Sequence, residues 1–276
     1  MNLSEEVYSK FAGLIYQRTG IAYESSKKYY VEKRIEKQLE RLNMDSYSEY
    51  YNLLRFSEDS MEFDHLINEL TVNETYFFRD FPQLRNFAED VLPVVVEEKL
   101  RKNDRTIKIW SAACSTGEEP YTLAIILQEM LDDPERWELN IVASDINTKV
   151  LSSAKIGLYD ARSVRDVPPE YLGKYFTVRN GQYLVHGSLR KNIHFRRINL
   201  MDSRAVREVT GCDFIFCRNV LIYFDDRSRE KVLRDFYSCL NPGGFIFLGH
   251  SESVRRISSA YHAQRIGDTI VYSRHR

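Results

Sequence analysis

Asp145 closes an apolar run, Ile141-Val142-Ala143-Ser144-Asp145, and Glu118 and Glu119 follow a loop of small residues that ends at Gly117. Acids in these places suit one kind of chemistry. A carboxylate at the end of a buried strand accepts hydrogen bonds from ribose hydroxyls, and a strand–loop–helix–strand unit presents it to the ligand. Ile109-Trp110-Ser111 reads as the first strand. Glu118 and Glu119 suit the positive end of a helix dipole, and Pro120 suits its first turn. The loop has only Gly117 where a dinucleotide site has G-x-G-x-x-G. Two carboxylates there would repel a pyrophosphate. A ligand with a ribose and a positive charge but no phosphate fits, and S-adenosylmethionine is such a ligand. The plainer alternative is an ordinary βαβ unit whose acid caps a loop.

Three more segments carry polar groups where a ligand could meet them. Asn73-Glu74-Thr75-Tyr76-Phe77-Phe78-Arg79 lies between two regions of different pattern. Its aromatics suit packing between domains, which accounts less easily for Asn73 and Arg79. Ile198-Asn199-Leu200 follows a candidate strand, where an amide and an apolar neighbour could bracket an adenine. In Ile215-Phe216-Cys217-Arg218-Asn219-Val220-Leu221-Ile222-Tyr223-Phe224, polar Arg218 and Asn219 arrive as an apolar strand ends. Ligands bind at that carboxyl end in open α/β sheets.

The elements that must position these groups fall into two patterns. Residues 1 to about 80 read as helical. Leu3, Val7, Phe11, Leu14 and Ile15 keep helical spacing up to Gly20, a second helix covers about Ser26 to Leu42, a third starts near Ser46, and a fourth runs from about Ser60 to Leu70. On the second helix Val31, Ile35, Leu39 and Leu42 share a face. Lys27, Arg34, Lys37 and Arg41 flank it on one side, and Glu32, Glu36 and Glu40 on the other. A solvated amphipathic helix explains this, but a one-sided basic stripe also suits an acidic helical partner. A long helix, Pro82 to Arg101, bends at Pro93. Strands follow at Ile107–Ser111, Asn140–Asp145, Phe214–Arg218, Phe245–Gly249 and Thr269–Ser273, the last closing an edge hairpin at Gly267-Asp268. One insertion breaks the rhythm: Tyr175–Arg179 and Gln182–His186 alternate around Asn180-Gly181, a type I′ turn signal, and Ile193–Arg196 reads as a third strand of the same small antiparallel sheet.

Composition narrows the function. The 276 residues carry a net charge of −1, which weighs against a nucleic-acid binder. No apolar run approaches the ~20 residues of a membrane span, and the acidic start Met1–Glu6 has no apolar signal core, so a cytoplasmic protein is expected. Cys114, Cys212, Cys217 and Cys239 show no C-x-x-C pairing and are expected to be buried thiols, with no metal site.

Taken together, NETYFFR at 73–79, WSAACSTGEEPYTLA at 110–124, ASDIN at 143–147, INL at 198–200, FCRNVLIYFD at 216–225 and GHSES at 249–253 resemble the bacterial chemotaxis receptor methyltransferases, the CheR family. The resemblance spans nearly the whole chain. It implies an all-α N-terminal domain (1–72) and a Rossmann-like α/β domain (73–276) that binds S-adenosylmethionine and releases S-adenosylhomocysteine, with an antiparallel β-subdomain at about 173–198. It implies methyl transfer to glutamates on the cytoplasmic helical region of chemoreceptors. Cofactor contacts carry over onto Asn73, Thr75, Arg79, Asp145, Asn199, Leu200, Arg218, Asn219 and Val220. They also carry over onto one of Glu118 and Glu119, with Glu119 favoured. Arg79 and Tyr223 would face the transferred methyl group, and the basic flank of Lys27, Arg34, Lys37 and Arg41 would dock the receptor. Members that grip a receptor tail peptide have a longer glycine-containing hairpin loop. The hairpin here has no spare residues at Asn180-Gly181, which argues against that tether.

The residue types agree with this chemistry. A glutamate is ionised at neutral pH and has no proton to lose, so no general base is required. The six histidines need no catalytic role. Two other readings remain: a methyltransferase acting on RNA or a small molecule, and a module that senses S-adenosylmethionine without turnover.

Overall fold

Capping and helical spacing organise the first seventy residues as four helices: α1 (Glu5–Thr19), α2 (Lys28–Leu42), α3 (Tyr47–Phe56) and α4 (Met61–Leu70). The structure, a computed structural model, describes residues 3–57, 61–252, 260–266 and 269–275. The Ser4 hydroxyl accepts the Val7 N–H at 3.3 Å, and Gly20 ends α1 with φ of 73°. Ser46 accepts the Glu49 N–H at 3.3 Å, satisfying a first-turn donor that lacks an intrahelical partner. The expected start of α4 at Ser60 falls outside the described residues. Phe11, Ile15, Val31, Ile35, Tyr50 and Leu66 pack into one buried core. A 3-10 turn at Ser25–Lys27 precedes α2.

The remaining described residues wind around a seven-stranded sheet. Their helices are α5 (Phe81–Asn86), α6 (Leu92–Arg101), α7 (Glu118–Met130), α8 (Thr148–Ile156), α9 (Pro169–Tyr175), α10 (Gly187–Arg190), α11 (Ser203–Arg207) and α12 (Asp226–Cys239). Their strands are β1 (Thr106–Ala112), β2 (Glu138–Asp145), β3 (Leu158–Tyr159), β4 (Phe176–Arg179), β5 (Gln182–Val185), β6 (Ile193–Arg197), β7 (Cys212–Cys217), β8 (Leu240–Leu248), β9 (Tyr261–Ile266) and β10 (Thr269–Arg274). The sheet order is β6-β2-β1-β7-β8-β10-β9, parallel up to β8 and antiparallel beyond. Strand order reverses direction between β1 and β7, which opens a crevice at their carboxyl ends. The long helix is interrupted by a π turn at Phe87–Val91, just before Pro93 where a bend was expected. That turn buries Phe87 edge-on against Phe214, Phe216 and Phe247 of the sheet. All four cysteines are buried thiols.

The insertion needs one correction. The Asn180-Gly181 turn forms, with φ of 49° and 77°, and pairs β4 with β5. The third strand of the small sheet, however, is β3, two residues long, while Ile193–Arg197 runs parallel to β2 as the edge of the main sheet. The reason is burial. Ile193 and Leu189 pack into the main core with Ile141, a partner that local alternation does not reveal. The small sheet is therefore β3-β5-β4 and does not extend to residue 198.

The helical layer is fastened over the carboxyl ends of the strands. Ile21 bridges Phe224, the Ala22 N–H donates to the Tyr223 carbonyl at 3.0 Å, and Tyr16 donates to Asp225 at 2.8 Å. At the other end the Asn68 amide donates to Thr148 at 3.0 Å, and the Asn147 amide to Thr71 at 2.7 Å.

Candidate active site

Between these two layers lies a cavity of about 510 Å³, within the roughly 300–1,000 Å³ of small-molecule sites. Residues just beyond β1, β2 and β7 form one wall; Tyr23, Lys27 and Tyr30 of the helical layer form part of the other. Phe78, Ala113, Ser115 and Asn219 line the cavity with φ between 50° and 60°. Left-handed backbone at non-glycine residues costs about 1–3 kcal/mol each and persists where the surroundings enforce it, commonly at sites.

Asp145 stands at the end of β2. Its Oδ2 accepts the Ser115 N–H at 2.9 Å and its Oδ1 accepts the Asn147 N–H at 2.8 Å. These bonds fix the carboxylate beside the β1 loop with lone pairs to spare for hydroxyl donors. Burial pushes its pKa up against the pull of those donors.

Neighbouring glutamates go to different places. Successive helical residues are about 100° apart, so only one of the pair faces the cavity. That one is Glu119. It accepts the Ser111 hydroxyl at 2.6 Å and approaches Arg218 at 3.4 Å. Glu118 turns away into the protein, accepts the Thr116 hydroxyl at 2.6 Å, and does not line the cavity. Burial raises the pKa of both. The Arg218 side chain is itself buried. It donates to the Arg79 carbonyl at 2.5 Å and lies 3.5 Å from Asp80. Its Nε–H has no partner among the described residues. Ser111 and Asp80 complete this cluster without having been singled out as site residues, although Ser111 lies within one of the motifs and Asp80 directly follows another.

Asn73, Thr75, Arg79, Asn199, Leu200, Asn219, Val220 and Tyr223 also line the cavity. The Arg79 guanidinium donates to the Glu74 carbonyl at 2.5 Å and sits 5.7 Å from the Tyr76 ring centre. Tyr223 lies in a 3-10 turn at the exposed edge of the cavity; partial burial raises its phenol pKa and the nearby Arg79 charge opposes that. The Asn199 amide donates to the Arg18 carbonyl at 2.6 Å and accepts the Met201 N–H at 3.0 Å. The amide thus ties its loop to the end of α1, leaving one N–H to bracket a base. Phe77 and Phe78 are buried, as packing aromatics; Phe77 meets Tyr159 and Phe176 edge-on.

The basic flank of α2 divides. Lys27 lines the cavity, and Arg34 stacks on the Tyr30 ring at 3.6 Å. Lys37 pairs with Glu69 at 2.6 Å, and Arg41 pairs with Glu62. Half of the stripe is therefore met by carboxylates of α4, which the pattern of α2 alone could not show.

The cavity fits S-adenosylmethionine. Asp145 offers acceptors for ribose hydroxyls, Glu119 offers negative charge to a cationic ligand, and Arg218 has a buried donor left over for a carboxylate. The comparisons agree. Residues 73–268 match the family described as "CheR methyltransferase, SAM binding domain", and residues 6–71 match "CheR methyltransferase, all-alpha domain". "Chemotaxis protein methyltransferase 2" of Vibrio cholerae is 42% identical over 271 residues, covering 98% of this chain and 93% of that protein. The chemotaxis protein methyltransferase of Escherichia coli is 35% identical over 268 residues, covering 94% and 88%. That of Salmonella typhimurium is 37% identical over 257 residues, covering 91% and 85%. With sequence, fold and site in agreement over nearly its whole length, the chain belongs to the CheR family of S-adenosylmethionine-dependent chemotaxis methyltransferases.

Proposed function

We propose that this chain methylates glutamate side chains on the cytoplasmic helical region of chemoreceptors and so tunes sensory adaptation. One observation carries the reading. A single cavity joins the cofactor-type wall of Asp145, Glu119 and Arg218 to Lys27 and Tyr30 of the helical layer, with Arg79 and Tyr223 on its surface. A peptide side chain entering past the helical layer would meet both.

S-adenosylmethionine, when bound, supplies an electrophilic methyl group on a sulfonium. The attacking glutamate is already an anion at neutral pH, so the protein has no proton to remove. Its task is to hold one carboxylate oxygen in line, ~3–3.5 Å from the methyl carbon, and to exclude water. Arg79 suits the orientation of that carboxylate. Its bond to the Glu74 carbonyl and its contact with Tyr76 keep it from being a strong clamp, which would stabilise the ground state and slow attack. Asn73, Thr75, Asn199, Leu200, Asn219 and Val220 serve the cofactor. Lys27 and Arg34 serve receptor docking, with Lys37 and Arg41 contributing less because α4 pairs them. The tight Asn180-Gly181 turn supports recognition without a receptor tail tether. We place the protein in the cytoplasm and its domain division at residues 72 and 73.

Incubation with radiolabelled methyl donor and membranes from its own source tests this reading. Base-labile label on a receptor-sized band is the expected result. Label on RNA, or no transfer at all, overturns it.

A further inference from the structure

The GHSES segment has no role in the site described above, yet one of its side chains holds a wall of that site in place. The Glu252 carboxylate accepts four backbone N–H groups. Its Oε2 takes Gly249 at 2.6 Å and Asn219 at 3.0 Å, and its Oε1 takes Val220 at 2.9 Å and Ile222 at 3.2 Å. Three of these donors belong to the loop that follows β7. Asn219, Val220, Ile222 and Tyr223 of this loop line the cavity.

The loop's own 3-10 bonds, Tyr223 N–H to Val220 and Phe224 N–H to Leu221, leave the N–H groups of Asn219, Val220 and Ile222 to find partners elsewhere. Asn219 adopts φ of 59°, an unfavourable backbone for a residue with a Cβ. Its N–H groups converge on one point instead of joining a ladder, and unpaired N–H groups are costly when buried. Among side chains, an ionised carboxylate alone presents two oxygens with room for four donors and carries the opposite charge. Gly249 reinforces the arrangement. A Cβ there would sit 2.8 Å from both the Asn219 nitrogen and the Glu252 Oε2, so any side chain at this position would wedge the carboxylate from the loop.

We infer that Glu252 is a positioning residue for methyl transfer: by gathering these backbone donors it sets the loop that carries Asn219, Val220 and Tyr223 against the bound cofactor and the incoming substrate. Glu252 does not itself line the cavity. The inference rests on the methyltransferase activity and on the receptor as acceptor, so wild-type transfer to receptor membranes is measured first. Failure there would count against the receptor and leave Glu252 to be judged from cofactor affinity.

Glu252→Gln tests the inference with little change in volume. It turns one acceptor oxygen into an NH2 that faces N–H donors. Turnover is expected to fall about 10²-fold, the cost of a misplacement of order 1 Å, with the receptor KM within about threefold. S-adenosylmethionine affinity by calorimetry falls about tenfold. The reading that a structural cap would not give is a cycle with Tyr223→Phe. If Glu252 acts through this loop, Glu252→Gln costs no more than about threefold in the Tyr223→Phe background. Full additivity, or unchanged turnover in the single variant, overturns the inference. If Glu252→Gln does not fold, Gly249→Ala decides. It keeps the carboxylate but wedges it away, and must show the same loss of turnover and the same non-additivity.

Discussion

Arg218 and Glu119 meet across the carboxyl ends of β7 and β1, with Nη1 and Oε2 3.4 Å apart and both side chains largely buried. Arg218 also holds Asp80 and the Arg79 carbonyl, so one guanidinium links the NETYFFR segment, the helix start and the β7 end. The proposed cofactor wall is therefore a network, and its members can be tested separately.

Glu119→Gln keeps an acceptor for the Ser111 hydroxyl but removes the charge facing Arg218. Cofactor affinity is expected to fall tenfold to a hundredfold, on the order of 1.5–3 kcal/mol for a hydrogen bond to a charged group. Glu118→Gln retains an acceptor for Thr116 and lies off the cavity, so affinity stays within about threefold of wild type. Calorimetry on both variants checks the assignment.

Burial holds Asp145 and Glu119 above their ordinary pKa values of 3.8 and 4.5. A carboxyl raised in this way binds its proton more tightly folded than unfolded. Its contribution to stability is full below the ordinary value and is lost as pH rises through the folded one. Cofactor binding has the opposite preference, because ribose hydroxyls and a cationic ligand favour the ionised forms. S-adenosylmethionine affinity is therefore expected to weaken as pH falls, beginning above pH 4.5. Calorimetry from about pH 8 down to about pH 5 follows this, and an Asp145→Asn variant binds weakly with a flatter profile.

Arg79→Ala removes one hydrogen bond to a carbonyl and a partly exposed aromatic contact. Stability falls by about 1–2 kcal/mol, while turnover drops about 10²-fold if the side chain orients the attacking carboxylate. Thermal unfolding and methylation measured on one preparation separate the two effects. Turnover that falls no further than the folded fraction leaves Arg79 as packing.

The division of the α2 stripe gives two distinguishable double variants. Lys27→Glu with Arg34→Glu is expected to slow receptor methylation and flatten its dependence on ionic strength, with cofactor affinity changing much less. Lys37→Glu with Arg41→Glu breaks the pairs with Glu69 and Glu62, so its main effect is loss of stability, about 0.2–1 kcal/mol per exposed pair. The opposite ranking in methylation would return docking to the outer half of the stripe. In the same assay, deleting the receptor's C-terminal residues leaves methylation nearly intact.

Much of this architecture was legible from local sequence. Gly20 and Ser46 bound helices because caps act within one turn. Asn180-Gly181 makes its turn because the two φ values it needs are local, and Asp145 ends a strand whose apolar run announces it. The position of every predicted cofactor residue except Glu118 on one cavity follows from such local rules plus the switch in strand order. Other features depended on partners distant in the chain. The choice between Glu118 and Glu119 is a matter of helix rotation against the sheet. The pairing of Ile193–Arg197 with β2 is decided by core burial and not by alternation. The loss of Lys37 and Arg41 to α4, and the convergence of the Asn219, Val220 and Ile222 N–H groups on Glu252, come from contacts between segments that the sequence keeps apart. Propensity and capping fix a residue's own conformation; only the packed fold determines which charges and donors are left facing the ligand.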